Sequence, residues 1–231
     1  MCKLNLIKIF LLIYFTLLPC FSSADDYKHL TISLLGKQIG SLKLKETTTV
    51  GSKIIAVNGE IFSSPFRVFN GQFEHKTSII GRDSSSTKIY YQSIVDAKFK
   101  KRKINYLVKN YDLTDVNVFP KEEQTRYSNP EQIDFEFIDP AFTIAKLLST
   151  PCQNSFIIYD GRRIIDVISI KRASDLECEY IYEIRKGPGH LMHFNFKKFE
   201  ISTFFDQKGN SAIKSMIVKT GPFKLIFNSA H

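Results

Sequence analysis

The stretch FIIYDGRRIIDVISI, Phe156 to Ile170, reads as a β-hairpin, and its reading decides the fold. Ile, Val, Phe and Tyr suit a pleated, half-buried surface. Asp-Gly between two such runs is a strong short-range hairpin signal. In a two-residue Asp-Gly turn both central residues take φ > 0, which Gly161 allows freely and Asp160 tolerates. Arg162 and Arg163 then open the return strand on opposite faces, because strand side chains alternate, so they do not form one clamp. Each is expected to pair separately, one with Asp166 or an acidic residue on a neighbouring strand, the other with solvent or a ligand. Structural pairing is the expected role, since the bidentate fork of arginine fixes strand register and a ligand site needs further convergent groups. The alternative is an anion contact by Asp160-Gly161-Arg162-Arg163 at the rim of a concavity.

The same period of two runs through the rest of the chain. SLKLKE places Leu42 and Leu44 on one face and Ser41, Lys43 and Lys45 on the other. IDFEF separates Ile133, Phe135 and Phe137 from Asp134 and Glu136, and FEISTF aligns Phe199, Ile201 and Thr203. Gly36-Lys37, Asn58-Gly59, Asn70-Gly71, Asp160-Gly161 and Gly209-Asn210 punctuate these runs as turns, with Asn58-Gly59 inside a strand or at a bulge as the alternative. The expectation is mainly antiparallel sheet with one apolar face.

One segment departs from this period. DPAFTIAKLLST has Asp139 as N-cap, Pro140 at the first helical position, an apolar stripe of Phe142, Ala145, Leu147 and Leu148, and Pro151 as the stop. A helix this short is marginal alone and must bury its stripe against the sheet. It follows a polar connector from Pro120 to Pro130 and precedes a second run of strands.

The chain has 231 residues, 43% hydrophobic and 24% charged, as expected for a globular protein. Its first residues read as a secretory signal: Lys3 and Lys8, the apolar run Ile9 to Leu18, and Ser22-Ser23-Ala24 as a cleavage site. Residues 1–24 are thus expected to be removed, leaving one β-rich domain over 25–231. The alternatives are an uncleaved anchor, for which the run is short, and lipidation at Cys20, for which Pro19 is a poor neighbour.

Cleavage removes Cys2 and Cys20, leaving Cys152 and Cys178. In an oxidising compartment an even pair is most simply one disulfide, with two buried free thiols as the alternative. Without Lys3 and Lys8 the charge is 30 basic against 23 acidic residues, a net of +7. Export argues against nucleic acid as the partner and leaves an anionic membrane surface, an envelope protein or an acidic polymer. The densest basic run, Lys98, Lys100, Lys101, Arg102 and Lys103, is either a contact for lipid headgroups or, the blander reading, a solubilising rim on a sheet.

Together these features resemble an exported bacterial family, domain of unknown function 3108. The resemblance rests on LLGKQIGSLKL (Leu34 to Leu44), DPAFTIAKLL, Pro151-Cys152, YDGRRIIDV, Cys178 and KGPGHL (Lys186 to Leu191). It implies a periplasmic Gram-negative envelope protein with a curved antiparallel sheet or incompletely closed β-barrel and one main short helix, similar to the Lol-type lipoprotein carriers. It implies no chemistry.

Nor do the residues point to any. The chain lacks G-x-S-x-G, H-E-x-x-H and a Walker loop. His190 and His193 have no third ligand nearby, Gly187-Pro188-Gly189 reads as a turn, and no metal or cofactor is expected. Two non-enzymatic classes remain: a carrier holding a lipid, acyl chain or lipoprotein in a concave apolar sheet beneath a helix, and an envelope-integrity or interaction scaffold whose concavity is filled by its own side chains.

Overall fold

The computed structural model describes residues 24–62, 70–81, 86–98, 100–190, 195–206 and 212–230. Apart from Ala24, the expected signal peptide with Cys2 and Cys20 lies outside them, as do His193 and Gly209-Asn210. The strands are β1 (Ala24–Leu34), β2 (Lys37–Thr49), β3 (Ser52–Ile61), β4 (Gly71–Ile80), β5 (Lys88–Ala97), β6 (Lys100–Lys109) and β7 (Asp112–Phe119). After helix α1 (Pro140–Ser149) come β8 (Phe156–Tyr159), β9 (Ile164–Ser174), β10 (Glu177–Lys186), β11 (Lys198–Phe205), β12 (Ile213–Thr220) and β13 (Phe223–Ser229).

All thirteen strands form one antiparallel sheet in the order β7-β6-β5-β4-β3-β2-β1-β13-β12-β11-β10-β9-β8. Two meanders, one on each side of α1 in the chain, are joined where β1 pairs with β13, Ile32 opposite Phe227. The sheet is not closed; its edges are β7 and β8. The expected curved, incompletely closed antiparallel sheet with one main helix is the architecture observed.

The chain between those edges stands in for the missing ladder. Short 3-10 turns at Lys121–Glu123, Arg126–Ser128 and Pro130–Gln132 carry it along β7. Ile133 to Phe137, expected as a strand, bends at Phe135 and joins no ladder, and its neighbour Ile138 makes a single parallel bridge to Ile158. Its alternation is real all the same: Ile133, Phe135 and Phe137 are half-buried and Asp134 and Glu136 exposed. A period of two reports which side meets the protein, whether or not a partner strand supplies hydrogen bonds.

α1 forms where its signals stand. The carboxylate of Asp139 accepts from Phe142 N at 2.8 Å and from the Thr77 hydroxyl at 2.6 Å, which pins the helix start to β4. Its buried residues are Ala141, Thr143, Ala145, Leu147 and Leu148, while Phe142, expected in the stripe, is half-buried. The helix packs on β3, β4 and β8, and Ala141, Ala145 and Leu148 share a core with Leu30, Leu44 and Val57. Each fully buried Leu contributes about 1.5–3 kcal/mol. The helix is therefore a plug in the concavity and not a lid over an empty one.

A disulfide joins Cys152, just past the helix, to Cys178 on β10 with Cα atoms 5.1 Å apart, tying α1 to the far meander. Asn58-Gly59 lies inside β3 without a bulge, and Gly59 gives its space to the Phe73 ring.

The hairpin at 156–170 forms, but its turn differs from the expected one. Tyr159 pairs with Ile164, so residues 160–163 make the connection, and of these only Gly161 has positive φ, at 91°. The reason is the Asp160 carboxylate, whose Oδ1 accepts from the backbone N–H of both Arg162 (3.0 Å) and Arg163 (2.8 Å). Paired positive φ values occur instead at Leu35-Gly36 (52° and 76°) and Asn110-Tyr111 (48° and 73°).

Candidate functional site

β8 lies between two cores. Ile158 joins the cluster around α1, and the adjacent Tyr159, on the opposite strand face, joins a second cluster with Tyr91, Ile104 and Tyr106. The Tyr106 hydroxyl donates to the Tyr159 carbonyl at 3.1 Å, and the Tyr159 hydroxyl donates to the Tyr127 carbonyl at 2.6 Å. The rolled sheet thus holds the arginine turn against the inner face of β6, where a Cβ on Gly161 would stand 2.4 Å from Ile104 Cγ2.

Both turn arginines are buried, each 6% exposed, and both are paired. Arg163 bonds the Asp160 carboxylate through Nε at 2.6 Å and through a terminal nitrogen at 2.5 Å. Arg162 reaches the other way, with Nε donating to the Glu123 carbonyl at 2.6 Å and a terminal nitrogen 2.9 Å from the Glu123 carboxylate. They pair separately, as expected, but Asp166 serves neither; it is bound by Arg185. Thr125 and Ser128 hydroxyls donate to the Arg162 and Gly161 carbonyls, so the connector clamps the turn.

The basic run divides by strand parity. Lys101 and Lys103 are exposed on the outer face, and Lys98, also exposed, precedes β6. Lys100 and Arg102 share the inner parity of Ile104 and Tyr106, and both bind Glu123, at 3.5 and 3.2 Å. The run is not one continuous rim. KKRKINYLV already carried the signal, since its apolar residues set the parity that draws Lys100 and Arg102 inward.

Between this turn, the start of α1 and strands β4 to β6 lies a cavity of about 200 Å³. It is lined by Ile104, Ile144, Ile158 and Ile165 together with His75, Tyr91, Arg102, Asp160, Arg163, Tyr182 and His190. The turn at Gly187 packs on Arg163 and delivers His190, whose ring nitrogens lie 3.0 and 3.2 Å from an Arg163 terminal nitrogen and whose Nε2 is 2.6 Å from the Tyr182 hydroxyl. Arginine only donates, so a His190 ring nitrogen accepts and the ring is neutral. His75 Nδ1 and the Tyr91 hydroxyl are 2.8 Å apart.

The electrostatics follow from burial and charge. Burial opposes the Asp160 charge, but Arg163 outweighs it and holds the carboxyl down at about 2. Burial brings His75 down to about 4 and, with Arg163, puts His190 well below its ordinary value. Burial and the neighbouring Arg102 lower Arg162 to about 10. Burial also raises Tyr91 well above its ordinary value. Among the described residues only Arg102 Nε and Thr203 Oγ1 are buried side-chain polar atoms without a partner. A depression on the outer face, about 290 Å³ and lined by Lys43, Glu60, Glu74 and Asp96 among others, has no such atom.

Asp160, Gly161, Arg162 and Arg163 thus come together with His75, Tyr91, Arg102, Glu123, Tyr182 and His190, none of which the sequence reading placed here. Cys152 and Cys178 are apart from this site, at the other end of α1. No protein-family description matches the chain, and no curated protein sequence does. Among solved structures it is similar to a β-barrel-like protein of domain of unknown function DUF1849 from Brucella abortus. Their sequence identity is 10% and the TM-score 0.41, over 91% of this chain and 96% of that one.

Proposed function

We propose that the chain is a non-catalytic, periplasmic binding protein of the domain of unknown function 3108 family, and that its cavity beside the arginine turn receives a small ligand. The observation that carries this reading is the cavity itself: polar and apolar side chains converge on it, set on strands and a helix start. Its size restricts the ligand. At about 200 Å³ the cavity lies below the usual ligand-pocket range of about 300–1,000 Å³, which favours a small ligand. The concave face beneath α1 is filled by the protein's own Leu30, Leu44, Val57 and Leu148.

Native mass spectrometry of protein purified from an exporting cell, followed by organic extraction, tests the reading. A small co-purifying organic molecule is expected. A full-length phospholipid in stoichiometric amount would contradict it.

The scaffold reading draws on a different observation. Leu35, Phe62 and Phe119 are 83%, 53% and 72% exposed at the sheet end that also carries Lys37, Lys98 and Lys101. Exposed apolar tips among lysines suit an anionic membrane surface. Flotation with vesicles containing anionic lipid, lost in the Phe62→Ser/Phe119→Ser variant, would favour it.

A further inference from the structure

Resting on that binding reading, we propose that the cavity is an anion site in which Arg102 receives the carboxylate or phosphate oxygens of a small amphiphile, its short apolar part lying against Ile104, Ile144, Ile158 and Ile165. The turn arginines, first candidates by sequence, have their forks occupied by Asp160 and Glu123. Arg102 does not. Its side chain is 10% exposed, it lines the cavity, one terminal nitrogen is on Glu123, and its Nε is buried without an acceptor.

Charge points the same way. Lys100, Arg102 and Arg162 share the single carboxylate of Glu123, and Arg163 takes Asp160. Four cations therefore share two carboxylates, and of these groups Arg102, Arg163 and Asp160 line the cavity. The next carboxylate, Asp139, is held by Thr77 and the N-terminus of α1. A surplus of positive charge around a nearly buried guanidinium is costly, and one oxyanion on Arg102 offsets it. Neutral His75 and His190 with Tyr91 and Tyr182 add no charge and supply hydrogen bonds. The four isoleucines then add affinity for a short apolar tail on the anion.

Titration calorimetry with pentanoate, pentanol and inorganic phosphate, on the wild type, R102Q and R102K, tests this. Pentanoate should bind at least tenfold more tightly than pentanol. R102Q should weaken pentanoate at least tenfold and leave pentanol unchanged, and R102K should retain an intermediate affinity. Arg102-dependent binding of phosphate tighter than pentanoate also supports the site and identifies a phosphate head as its natural ligand. Equal binding of pentanoate and pentanol, or wild-type affinity for pentanoate in R102Q, would overturn the anion inference and leave the binding reading standing. If none of the three binds, both fall. Should R102Q not fold, the wild type alone decides by thermal shift: pentanoate must raise Tm and pentanol must not, and equal shifts overturn the inference.

Discussion

Asp160 organises more of this site than either arginine beside it. Its Oδ1 accepts two backbone N–H groups, which makes the turn, and its Oδ2 holds Arg163. Removing one partner of a buried ion pair leaves the other uncompensated, at a cost of about 3–5 kcal/mol. Arg163→Ala should therefore lower the urea midpoint by a corresponding amount; an unchanged midpoint would mean the pair is not structural. The pH dependence follows from the same groups. The folded Asp160 carboxyl, at about 2, lies below its unfolded value near 3.9, so its stabilisation is complete above pH 4 and lost as pH falls toward 2. His75 folds in neutral form at about 4 against 6.5 unfolded. The unfolded chain then binds the proton first, and stability falls as pH drops from about 6.5 to 4, by about 3 kcal/mol for that one residue. Urea melts of His75→Gln should be flatter than those of the wild type across that window, and identical slopes would contradict the burial that depresses it. Separate pairing of the two arginines was expected from strand parity, but both lie in the turn before β9, and the turn geometry sends them apart. Their partners were not legible in the sequence, since Glu123 and Asp160 reach them through a connector path and a turn geometry that no local pattern encodes.

α1 and the arginine hairpin show what element-level signals carry. Asp139, Pro140 and Pro151 mark the helix correctly because capping and proline geometry act within a few residues. IDFEF misleads because its alternation arises from packing on one side with no ladder on either edge. Asp-Gly likewise signals a reversal but not its type, which the Asp160 carboxylate changes by bonding its own backbone. The Cys152–Cys178 bridge encloses a sequence separation of 26, and a loop of that length stabilises by roughly 3–4 kcal/mol in the chain-entropy model. The Cys152→Ser/Cys178→Ser variant should melt well below the oxidised wild type, yet keep its affinity for pentanoate, because the bridge is at the opposite end of the helix from Arg102. Loss of binding in a variant that still folds would contradict that separation. Gly161 is held at φ 91° with Ile104 against it, so Gly161→Ala should destabilise by about 1–3 kcal/mol, measured by the same melts.

The molecule as a whole is a sheet rolled until its edges are joined by connector and helix instead of a strand ladder. Mainly antiparallel structure with one helix was legible from periodicity, but the space inside was not, because it depends on how far the sheet rolls. That rolling brings β8 onto β6, fills the concavity with α1, and leaves one cavity beside the turn where cations outnumber carboxylates. A crystal structure of the protein grown with saturating pentanoate tests this account most directly. It predicts the carboxylate within hydrogen-bond distance of the Arg102 guanidinium and the alkyl chain on Ile104, Ile144, Ile158 and Ile165. Pentanoate bound elsewhere, or a cavity holding only water at saturation, would contradict it.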